Sequence, residues 1–65
     1  MMSSEQLFLQ AITAYKAWCD TGKDFVNHTD LFEAWDDAVI AYADSIYVKR
    51  AQAVTHVVMA LKVLK

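Results

Sequence analysis

The chain contains no proline, one glycine and one cysteine among its 65 residues. It therefore lacks the punctuation that many-stranded or loop-rich folds need, and long helices are the expected outcome. A lone cysteine, Cys19, excludes an intrachain disulfide and suits a reducing, cytoplasmic setting. A bridge between two copies through Cys19 is the lesser alternative. Long apolar runs are missing too. The longest uncharged stretch, Ala51 to Leu61, includes Gln52, Thr55 and His56 and falls well short of the ~20 residues that span a bilayer. No membrane role is expected. The opening Met1-Met2-Ser3-Ser4-Glu5 also lacks the charged region and apolar core of a secretory leader.

What is present is an apolar chain, 57% hydrophobic, with a net charge of −2. Its length fits a single all-α domain over residues 1–65. At this size a monomer buries only about 60% of its unfolded surface, so a partner chain would help it fold. All eight acidic residues precede Val48, whereas Lys49, Arg50, Lys62 and Lys65 follow it. The chain is acidic first and basic last.

Ser3-Ser4-Glu5-Gln6 has the spacing of a capping box, in which a hydroxyl and a glutamine satisfy free amides at a helix start. A short helix is predicted over about 4–20. Leu7, Phe8, Ala11, Ile12, Tyr15, Trp18 and Cys19 form its apolar stripe, and Gly22 is its left-handed stop. Lys23 to His28 reads as a connection in which Asn27 is placed to cap the next helix, with Asp30 and Glu33 as a second cap one turn later.

From Leu31 onward no glycine or proline interrupts the chain. Leu31, Trp35, Val39, Tyr42, Ile46, Arg50, Ala53, Val57, Leu61 and Leu64 advance by three or four residues throughout, roughly 3.7 per step. The kept phase predicts one long helix over about 30–64. The rival is a three-helix bundle with a break near 44–50.

A helix of that length would run roughly 50 Å against about 25 Å for the first. The resulting helical hairpin would leave Val54, Val57, Val58, Leu61 and Leu64 bare. Leaving five such side chains in water forgoes about 1.5 to 3 kcal/mol each. The expected remedy is a homodimer with those residues at its interface, two hairpins forming a four-helix arrangement.

Candidate chemistry is sparse. Asp30, Glu33, Asp37 and Asp44 share one helix face, opposite the apolar stripe, and could dock a basic partner or serve as a solvated surface. They lack the alternating spacing of a calcium loop. His28 and His56 belong to no zinc pattern, so no metal or other cofactor is expected. Cys19 sits on an apolar stripe without an evident base, which reads as a core thiol. Most aromatics fall at core positions; Phe25 and Tyr47 are the two expected to be exposed. Arg50 occupies a stripe position and should snorkel or pair with an acid from the first helix or a second chain.

No nucleophile with its base can be assembled, so the expected function is non-enzymatic. It is that of a small helical interaction protein that binds and modulates another protein. Chains this short and motif-free are common among the accessory and regulatory factors of phages and mobile elements. The alternative is a nucleic-acid-binding regulator using the basic C-terminal half. The acids between Leu31 and Asp44, which DNA would repel, weigh against it.

Overall fold

A computed structural model describes residues 3–64 and places three α-helices among them: α1 over Ser4–Cys19, α2 over Thr29–Ser45 and α3 over Arg50–Leu64. No strand occurs among the described residues. None of these helices is long and apolar enough to cross a membrane.

The start of α1 follows from its capping box. Gln6 N–H donates to Ser3 Oγ (3.2 Å), and Ser3 N–H donates to Gln6 Oε1 (3.4 Å). Its end uses a paired backbone stop: Lys23 N–H reaches the Trp18 carbonyl (3.3 Å) and Gly22 N–H the Cys19 carbonyl (2.9 Å). This Schellman geometry needs a left-handed residue, supplied by Gly22 at φ 77°. The connection is then held by Asp24, which accepts hydrogen bonds from the Asn27 side chain (2.7 Å) and backbone N–H (3.2 Å). Those bonds, the side-chain one foremost, hold the Asp24 carboxyl below its ordinary range. Asn27 is thereby occupied. The residue preceding α2 is His28, with no side-chain cap.

α1 and α2 form an antiparallel hairpin joined by aromatic rungs. Phe8 meets Tyr42 (4.9 Å between centroids), Tyr15 meets Trp35 (5.2 Å) and Trp18 meets Phe32 (5.1 Å). Each step forward along α1 is matched by an equal step back along α2.

The long helix over 30–64 does not exist. The chain breaks at Ile46–Lys49, the arrangement of the rival three-helix bundle. Val48 N–H donates to the Ala43 carbonyl (3.1 Å) and Tyr47 N–H points to that of Asp44 (3.4 Å), a second Schellman stop. Here the left-handed position is taken by Tyr47, at φ 58°, while Val48 packs against the core. Four connecting residues amount to about one helical turn, so the apolar spacing passes through the break in phase. α3 then folds back over the hairpin. Ala53 and Val57 join Ala11, Ile12, Tyr15, Trp35, Val39 and Ala43 in one buried core.

A left-handed backbone costs a residue with a Cβ about 1–2 kcal/mol, and the Tyr47 side chain, 96% exposed, recovers nothing by packing. Glycine gives back roughly 0.5–1 kcal/mol through its freer unfolded chain. Tyr47→Gly should therefore stabilise the fold by about 0.5–1 kcal/mol, read as a higher urea midpoint at unchanged slope. A lower midpoint would remove the left-handed stop as the cause of the break.

Candidate functional site

Asp30, Glu33, Asp37 and Asp44 all project from the exposed side of α2. No ion pair or side-chain hydrogen bond engages any of them among the described residues. α2 carries no basic residue at all. Its remaining acid, Asp36, lies off this strip and is neutralised by Arg50, whose Nε (2.7 Å) and Nη2 both donate to Asp36 Oδ1. The strip is thus a run of like charges with no internal counter-charge.

Arg50 was expected to meet an acid of the first helix or a second chain; it meets one on α2 of its own chain. On a continuous helix, residues 36 and 50 would lie about 21 Å apart, so this pair exists only because the chain turns at Tyr47. The guanidinium also lies 5.9 Å from the Trp35 ring centroid. It stands at the N-terminus of α3, where positive charge opposes the helix dipole. Asp36 offsets that. Arg50→Ala should cost about 1 kcal/mol, because the ion pair is half-exposed and the ring contact adds a similar small amount. Chemical denaturation checks this. Arg50→Lys should recover only part of the loss, since a point charge cannot reproduce the guanidinium's two donors.

Of the residues expected at a dimer interface, Val57 falls in the protomer's own core, fully buried, and Val54, Val58 and Leu61 are half-buried against it. The Leu64 side chain lies outside the described residues. Because α3 folds back, Val54, Val57, Val58 and Leu61 find cover within the chain. Among the described residues the exposed large apolar side chains of α3 are Met59 and Val63.

Phe25 and Tyr47 are both exposed, at 52% and 96%. They flank opposite ends of α2, separated by roughly the 25 Å that its 17 residues span. One flat stacking platform cannot include both. Phe25 packs edge-on against Phe32 (5.1 Å) beside the exposed Val26.

His56 Nδ1 faces the Tyr42 hydroxyl at 3.4 Å. Among the described residues no group of three His, Cys, Asp or Glu side chains comes together as a metal site. Cys19 lines a cleft of about 260 Å³ between α1 and α3, with Tyr15, Lys23, Val58, Leu61 and Lys62. Among the described residues no histidine or carboxylate is in that lining to act as a base. Sequence reasoning missed this cleft, because residues 19 and 62 become neighbours only once α3 folds back. The one local signal was a lysine directly after the helix-stopping Gly22. No protein-family model, curated protein or solved structure matches this chain.

Proposed function

We propose that the chain is a non-enzymatic interaction protein whose acidic strip on α2 docks a basic surface of another protein and modulates it. The observation that carries this reading is that, among the described residues, no ion pair engages Asp30, Glu33, Asp37 or Asp44 and α2 carries no basic residue. Glu33 and Asp37 are one turn apart, and such like-charge pairs each cost a helix about 0.2–0.5 kcal/mol. Asp44 adds to this cost at the C-terminal end, where the dipole disfavours an anion. A purely solvated face would carry interspersed lysines at no such cost. A basic partner supplies the missing charge in trans, and opposed potentials speed its encounter.

The rival nucleic-acid reading loses one of its cations, because Arg50 is engaged by Asp36. The test is the charge-reversed variant Glu33→Lys/Asp37→Lys. Proteins retained from a low-salt lysate by the immobilised parent chain should bind this variant about tenfold more weakly. Its thermal midpoint should hold or rise, since repulsion along α2 is relieved. Partners held equally well by the variant would show that another surface does the docking.

A further inference from the structure

The cleft between α1 and α3 has walls and charges that together specify an occupant. Its apolar surface comes from Tyr15, Val58 and Leu61, with Cys19 between the helices. Lys23 and Lys62 stand on it, and no acidic residue does among the described residues. Neither ammonium takes part in an ion pair among the described residues. Lys23 is also held in place: its backbone is left-handed at φ 60°, a conformation that side chains with a Cβ avoid, and its Nζ lies 5.8 Å from the Tyr15 ring centroid. Non-glycine residues kept in that region gather at ligand clamps.

Two cations above an apolar floor fit an anion with an apolar body. The cleft, about 260 Å³, lies just below the usual 300–1,000 Å³ of ligand pockets, which sets the occupant's size at roughly ten heavy atoms. Its charge is set by the helices. Cys19 ends α1 and Lys62 lies in the last turn of α3, where the helix dipoles oppose any anion and the two lysines must outweigh them. That field disfavours a phosphate dianion more than a monoanion, and no run of free amide N–H groups belongs to the lining. We propose that this cleft binds a small aliphatic carboxylate, its head between the Lys23 and Lys62 ammonium groups and its chain against Val58, Leu61 and Tyr15. The site is independent of the acidic strip on α2 and opposite to it in charge.

Octanoate is the probe, titrated into the full chain and followed by amide NMR shifts. Saturable shifts centred on Cys19, Lys23, Val58, Leu61 and Lys62 are expected, together with slower alkylation of Cys19 by iodoacetamide. Octanol, with the same chain and no charge, should bind several-fold more weakly. Lys23→Gln and Lys62→Gln should each weaken octanoate about two- to fivefold, and more in combination, because each removes one exposed charge contact. The helical content of both variants should match the parent. Absence of saturation, equal binding of octanol, or unchanged affinity in the double variant would overturn the site; the lysines would then only offset the two helix dipoles. Shifts centred on Met59 and Val63 would overturn it as well, by placing the ligand on the outer face of α3.

Discussion

Val57→Asp is expected to abolish the folded state at every protein concentration. Val57 is fully buried where α3 crosses the hairpin, and no cation lies among the core residues around it. An aspartate there is too short to carry its carboxylate to water, and an unpaired buried charge costs several kcal/mol even after relaxation. A chain of this length has only about 3–10 kcal/mol in total, at 0.05–0.15 kcal/mol per residue. Val63→Asp, at a position 84% exposed in the last turn of the same helix, is the control and should cost no more than about 1 kcal/mol, the penalty for an anion at that end of the dipole. Far-UV circular dichroism across a hundredfold range of concentration reads both variants.

The same experiment separates the two architectures. In a hairpin dimer Val57 would lie on the surface between copies, and the aspartate variant would survive as a folded lone hairpin. In the three-helix bundle it belongs to the protomer's own core, and no folded species remains. Retained helix in the variant, with loss of association only, would restore the long helix.

How far the sequence discloses this fold depends on how local each signal is. The Ser3–Gln6 box and the Gly22 stop are decided within a few residues, and both stand where the spacing put them. So does the buried stripe of Ala11, Ile12 and Tyr15. The second stop was hidden because its left-handed position holds Tyr47, a residue that carries no turn signal, and because the four-residue link preserves the apolar phase. A continuous helix would leave Val57 on an exposed end, whereas the turn carries it into the core. Arg50 is the instructive case, since its place on the apolar stripe was legible and its partner was not. Asp36 becomes a neighbour only after the turn is made. The acidic strip needed no tertiary information: four carboxylates on one face of a single helix remain there however that helix packs. The α1–α3 cleft needed all of it.

Trp35→Ala is the second large effect, and it tests the hairpin in place of the third helix. Trp35 is 6% exposed and touches more of the aromatic ladder than any single rung requires. Its ring lies 5.2 Å from Tyr15, 6.2 Å from a stacked Trp18 and 6.1 Å from Phe32, with the Arg50 guanidinium on it. Truncating a buried tryptophan costs about 3–5 kcal/mol, comparable with the whole stability of so small a chain, so the alanine variant should be largely unfolded at 37 °C. Phenylalanine should behave differently. The Trp35 Nε1–H is buried with no acceptor among the described atoms, and a buried donor left unsatisfied costs about 1–3 kcal/mol. Trp35→Phe gives up ring area but removes that donor, so a net loss of only about 1 kcal/mol is expected from urea denaturation. Should phenylalanine prove as damaging as alanine, the indole N–H would be contributing stability instead of costing it, and the middle of the ladder would have to hold an acceptor for it.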